Sequence, residues 1–120
     1  MSLILVVDDD PATREVLASV MREDGHQVVS SDAAEKALEL LAQLPVGLVL
    51  LDLGLPGMHG EQFLEQRAAR GLQSKAPVVV ITAAGNAETA SRVRSLGASL
   101  TVTKPFDANE LVTIAQKFAG

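Results

Sequence analysis

Five short apolar runs alternate along the chain with segments whose apolar positions recur at helical spacing. The runs Leu3–Val7, Gln27–Ser31, Leu48–Leu51, Val78–Ile81 and Leu100–Val102 have strand length and are bounded by turn-forming or polar residues. This alternation leaves few folds open, because parallel neighbours need a long crossover and a helix is the usual one. An α/β fold on a five-stranded parallel sheet is therefore predicted. The third and fourth runs are so uniformly apolar that helices must cover both faces, which makes them central strands. Nearly half of the 120 residues are apolar but only 2% are aromatic, so Val, Leu, Ile and Ala must fill the core. The length suits one domain, 1–120, and no linker, repeat or low-complexity tract divides it.

The helices carry their own punctuation. Asp10 is placed to cap the first, with Pro11 at its first position and Gly25 suited to a left-handed turn past its end. Val16, Leu17, Val20 and Met21 form its apolar stripe. Asp32 with Glu35, and Asp107 with Glu110, have capping-box spacing and should open the second and fifth helices. Leu38 and Leu41 mark the buried face of the second, and Leu111, Ile114, Ala115 and Phe118 that of the fifth. The third should begin near Gly60 and carry Phe63 and Leu64, while Asn86 should cap a fourth that buries Ala90 and Val93 and stops at Gly97.

Charge and composition exclude several functions. A net charge of −5 offers phosphate backbones and anionic lipids no broad attraction, so no direct nucleic-acid or membrane partner is expected. The absence of cysteine removes disulfides and thiol chemistry and agrees with a reducing compartment. No apolar stretch approaches the roughly 20 residues of a membrane span. No signal peptide is visible either, because the apolar start runs directly into Asp8, Asp9 and Asp10. A cytoplasmic location is expected.

The polar residues at the strand ends carry the chemistry. Asp8 and Asp9 follow the first strand, Asp52 the third, Thr82 the fourth and Lys104 the fifth. In an open parallel sheet the carboxyl ends share one edge, where ligands of doubly wound folds bind, so residues distant in sequence should converge there. Carboxylates gathered this closely repel unless one is protonated or a cation sits among them. All-oxygen donors suit Mg²⁺, which often bridges to phosphate. With a hydroxyl and an ammonium added, the set describes a phosphoryl site. Lys104 would pair with one phosphoryl oxygen and Thr82 would donate to another, and Asp52, alone at the end of a central strand, is the best-placed nucleophile.

The motifs Leu5-Val6-Val7-Asp8-Asp9-Asp10-Pro11, Leu50-Leu51-Asp52-Leu53 with Leu55-Pro56-Gly57-Met58-His59-Gly60, Ile81-Thr82-Ala83, and Gly97-Ala98 leading to Thr103-Lys104-Pro105-Phe106 span nearly the whole chain. Together they resemble the response-regulator receiver family of two-component signalling. The resemblance implies a doubly wound, flavodoxin-like (βα)5 fold with strand order 2-1-3-4-5, the order of the family's chemotaxis member. It implies that Asp52 accepts the phosphoryl group of a phosphohistidine, from a histidine kinase or a histidine phosphotransfer protein. Asp9, Asp52 and the backbone carbonyl of Gly54 resemble direct Mg²⁺ ligands, and Asp8 a partner acting through metal-bound water. Thr82 resembles the switch hydroxyl and Lys104 the pairing lysine, with Lys104–Pro105 cis. An output partner or fused effector would read a distal surface, with a phosphorylation-dependent homodimer as one route. Thr101 stands where the family often has an aromatic residue, which weakens that route. Gly54 and Ala84 carry no side chain able to orient or block an attacking water, so phosphoryl lifetime should depend on water access.

Plainer roles fit the remaining polar residues. Asp10 is a helix cap rather than a ligand, His59 an exposed loop residue, His26 a partner for a helix end, and Phe106 a packing anchor beside Pro105. Such a switch would catalyse its own phosphorylation and dephosphorylation without being a conventional turnover enzyme. The rival readings are a metal-dependent aspartate-nucleophile phosphohydrolase, faintly echoed by Asp8-x-Asp10, a flavodoxin-like cofactor carrier, and a degenerate receiver that only docks. The chain is short for a phosphohydrolase cap, and its triply acidic first loop is unsuited to cradling a cofactor phosphate.

Overall fold

The computed structural model of the chain describes residues 2–53, 59–73, 75–83 and 86–119. Strands β1 (Leu3–Val7), β2 (Gln27–Ser31), β3 (Val46–Asp52), β4 (Val78–Thr82) and β5 (Leu100–Thr103) alternate with helices α1 (Pro11–Glu23), α2 (Ala34–Gln43), α3 (Gly60–Ala69), α4 (Ala87–Ser95) and α5 (Ala108–Phe118). The strands pair in parallel in the order β2-β1-β3-β4-β5. Fold class, strand order and the central placing of β3 and β4 are therefore as predicted. Three strands run further than their apolar residues suggested, taking in Asp52, Thr82 and Thr103 as last residues.

Strand alternation sorts the core into two layers. Ile4, Val6, Leu48, Leu50, Val79, Ile81 and Val102 pack with Leu17, Met21, Leu111, Ile114 and Ala115, so α1 and α5 cover one face. Leu5, Val7, Val49, Leu51, Val78 and Val80 pack with Leu38, Leu41, Phe63, Leu64 and Val93, so α2, α3 and α4 cover the other. Residues two apart on a strand share a face. Asp52 thus has the parity of the α1/α5 layer, and Thr82 that of the α2/α3/α4 layer.

Several helix expectations need correction. Asp10 does cap α1, accepting the Thr13 amide at 3.3 Å, and Gly25 takes φ 90°. Val16, however, is half exposed, because the buried stripe of α1 runs through Leu17, Ala18 and Met21. Asp32 is not a cap. Ala33 occupies that position, and the buried Ser31 hydroxyl donates to its carbonyl and accepts its amide, leaving Asp32 exposed. Asp107 caps α5 through the amide of Asn109, not that of Glu110. Asn86 caps α4 through Thr89, but the helix buries Thr89 with Val93 and leaves Ala90 half buried.

Candidate functional site

Register brings the strand-end residues together. Val7 pairs with Leu51, so Asp8 emerges beside Asp52. Thr82 pairs with Thr103, and the Lys104 amide donates to the Thr82 carbonyl at 2.8 Å, which sets the lysine beside the end of β4. Asp8, Asp9 and Asp52 each offer a carboxylate oxygen, and these lie within 4.8 Å of one another. Lys104 Nζ is 3.7 Å from Asp8 Oδ2 and 3.7 Å from Asp52 Oδ1. One ammonium thus pairs with two of the three carboxylates, and the cluster keeps excess negative charge. Thr82 is buried at the next strand end.

The four site acids and bases differ in exposure. Asp9 is exposed, Asp52 and Lys104 are partly buried, and Asp8 is only 1% exposed. Asp8 Oδ1 accepts the amide of Asp10 at 3.0 Å, whereas Oδ2 is buried without a hydrogen bond. Burial raises the Asp8 carboxyl above its ordinary range, and the Asp52 charge adds to the rise; the Asp10 amide and Lys104 oppose it. An orphaned anionic oxygen in an all-oxygen cluster with surplus charge is the donor set that a small, hard divalent cation satisfies. The residues present fit Mg²⁺. Gly54, the expected backbone ligand, lies outside the described residues, as does Ala84.

The turn carrying Asp8 and Asp9 is fixed by residues that sequence reading passed over. Arg14 Nη1 donates to the Asp8 carbonyl at 2.8 Å, and the Asp8 amide donates to Ser31 at 3.1 Å. Arg14 lies one turn into α1 and reaches back, which only the cap at Asp10 could have suggested. Lys104–Pro105 is cis. Beside Lys104 an open, largely apolar groove of about 480 Å³ is lined by Ala12, Thr13, Val16, Pro105 and Phe106. Phe106 also packs against the α1/α5 core, as expected of an anchor. His59 is exposed at the start of α3, where its amide donates to Gln62 at 2.8 Å. His26 is buried, with Nδ1 accepting the Ser2 amide at 3.2 Å and Nε2 3.1 Å from Asp24, the residue that ends α1.

A doubly wound sheet with an acidic cluster and a lysine at its carboxyl edge defines a narrow class of protein. The profile described as "Response regulator receiver domain" matches residues 4–116, and the chain belongs to that family. It is 36% identical over 116 residues to the response regulator protein FleR of Pseudomonas aeruginosa, covering 97% of this chain and 24% of that protein. It is 37% identical over 109 residues to the phosphate regulon transcriptional regulatory protein PhoB of Escherichia coli, covering 91% of this chain and 48% of that one. The chain thus spans about a quarter to a half of the length of these curated relatives. The receiver domain of NtrX from Brucella abortus superposes with a TM-score of 0.87 at 32% identity, covering 97% of each chain. Among the described residues no helix is long and apolar enough to cross a membrane.

Proposed function

We propose that the chain, as one receiver unit, is a phosphorylation-dependent switch of a two-component phosphorelay, with Asp52 as phosphoacceptor. The observation that carries this reading is the Asp52 carboxylate at the tip of a central strand, with Lys104 and the buried Asp8 within reach. An Asp52 oxygen attacks phosphorus, the bond from phosphorus to the donor imidazole breaks, and the released ring nitrogen takes up a proton from solvent. Lys104 pairs with a phosphoryl oxygen, and the Thr82 hydroxyl donates to another. Mg²⁺, held by Asp9, Asp52 and the Gly54 carbonyl, and by Asp8 through water, would neutralise charge gathering on the phosphoryl oxygens.

The phosphoryl donor is a histidine kinase or a histidine phosphotransfer protein. The groove between α1 and the Pro105–Phe106 segment supports this reading, since it offers apolar surface directly beside Lys104. Phosphorylation then shifts the population of a distal surface that an output partner or fused effector reads, in a cytoplasmic setting. Intact mass after incubation with acetyl phosphate tests the chemistry. A gain of about 80 Da, one phosphoryl group, should require both Mg²⁺ and Asp52 and vanish in Asp52→Asn. An adduct that survives in Asp52→Asn would refute the assignment. No adduct under rapid quenching, with no binding of a phosphoryl mimic, would leave a docking module. Release of phosphate from many donor molecules per chain in the first minute would instead favour a phosphohydrolase.

A further inference from the structure

We propose that the ion pair between Glu61 and Arg92 is a latch on the Asp52 site, holding α4 against α3 in a resting arrangement and so setting how readily a phosphoryl group is accepted. This rests on the phosphoacceptor reading and adds a regulatory element to it. The pair is two-pronged: Arg92 Nε donates to Glu61 Oε1, and Nη2 donates to Oε2 at 3.1 Å. Such fork-to-fork pairs fix orientation as well as distance.

Its position gives it leverage. Glu61 is in the first turn of α3, next to Gly60, and Gly60 sits directly on the backbone of the acceptor strand. A Cβ there would lie 2.7 Å from Leu53 Cα and 2.9 Å from the Asp52 carbonyl oxygen. The Gly60 amide also donates to the Leu53 carbonyl at 3.2 Å. The start of α3 therefore lies in close contact with the backbone of Asp52 and Leu53. Arg92 lies on α4, the helix that follows Thr82, and Thr82 has the strand parity of the layer to which α3 and α4 belong. The latch thus joins the helix that follows the acceptor strand to the helix that follows the hydroxyl.

The apolar hold on α4 is modest, with Leu96 at its end packed against the core. Among the described residues it buries only Thr89 and Val93, two small side chains. Small buried contacts resist sliding weakly, whereas a bidentate charge pair is satisfied at one relative placing of the helices. A contact that favours one arrangement biases the equilibrium by its difference between the two. Holding the resting arrangement makes the latch an opponent of phosphorylation.

The test uses beryllium fluoride with Mg²⁺ as phosphoryl mimic, followed by fluorine NMR, because the chain has no tryptophan to report binding. Glu61→Gln and Arg92→Gln should each bind the mimic about two- to fourfold more tightly than wild type, the scale set by one exposed ion pair. The advantage should shrink toward unity at high salt, since the pair is exposed enough to be screened. The swap Glu61→Arg with Arg92→Glu should restore wild-type affinity. Purely structural side chains would alter melting temperature and leave the affinity ratio and its salt dependence untouched. Variants that bind no more tightly than wild type, or a swap that restores nothing, overturn the latch alone. A wild-type chain that takes up the mimic no better than Asp52→Asn overturns the phosphoacceptor reading and the latch with it.

Discussion

Asp8 is the most costly residue of the site. A carboxylate 1% exposed, with one oxygen lacking any hydrogen bond, has exchanged water for a lysine 3.7 Å away and two like charges. Replacing it by Asn keeps an oxygen for the Asp10 amide and removes the charge. Asp8→Asn should therefore raise the stability of the metal-free protein at neutral pH by about 1–2 kcal/mol, the scale of one unsatisfied buried group. The sign reverses the usual aspartate case. Because burial raises the folded carboxyl, its favourable contribution is complete below the unfolded value and is lost as pH rises through the raised one. Wild type and variant should thus converge as pH falls. Melting curves at several pH values, with chelator present, decide the matter, and an Asp8→Asn protein less stable than wild type at pH 7 would sink the argument. In the function proposed, that cost keeps a charged pocket ready for a cation.

At the scale of elements, α3 shows how backbone proximity overrides propensity. Alanine is a better helix former than glycine by about 1 kcal/mol, so Gly60→Ala in the first turn would ordinarily stabilise. Here the added methyl meets the Asp52 and Leu53 backbone at 2.7–2.9 Å, which cannot move without disturbing the acceptor strand. The substitution should cost about 1–3 kcal/mol in urea unfolding and slow phosphorylation as well. A neutral or stabilising result would show that the start of α3 is free to shift. Such approaches explain what sequence could and could not reveal. Asp8, Asp9, Asp52, Thr82 and Lys104 were legible because strand-end position alone places them on one edge. Strand polarity carries that information without any knowledge of packing. Arg14 reaching back to Asp8 and Ser31 displacing Asp32 depend on how a strand end turns into the next helix, and Glu61 meeting Arg92 on where two helices lie relative to one another. No periodicity encodes that. Val16 misled for a related reason: its apolar side chain sits just off the buried stripe and lines a groove instead. Arg67 is another silent residue, buried in α3 with Nη2 donating to the carbonyls of Gln73 and Ala76.

For the molecule as a whole, a cation that binds only the folded chain must stabilise it. At about a hundredfold excess over its dissociation constant, Mg²⁺ should contribute about 2.7 kcal/mol, a rise of several degrees in melting temperature for a chain this size. The rise should be abolished by chelator and much reduced in Asp52→Asn. A melting temperature indifferent to Mg²⁺ would mean that the three carboxylates hold no such ion.

The alternation of the sheet adds a consequence. Asp52 belongs to the side roofed by α1 and α5, where the groove beside Lys104 opens, and Thr82 to the side roofed by α2, α3 and α4. The sheet then acts as a partition, and in the function proposed the chemical mark would be written from the α1/α5 side while the hydroxyl that meets it has the parity of the other side. A protein that writes the mark and a protein that reads it would not compete for surface, so both could be engaged on the same molecule at once.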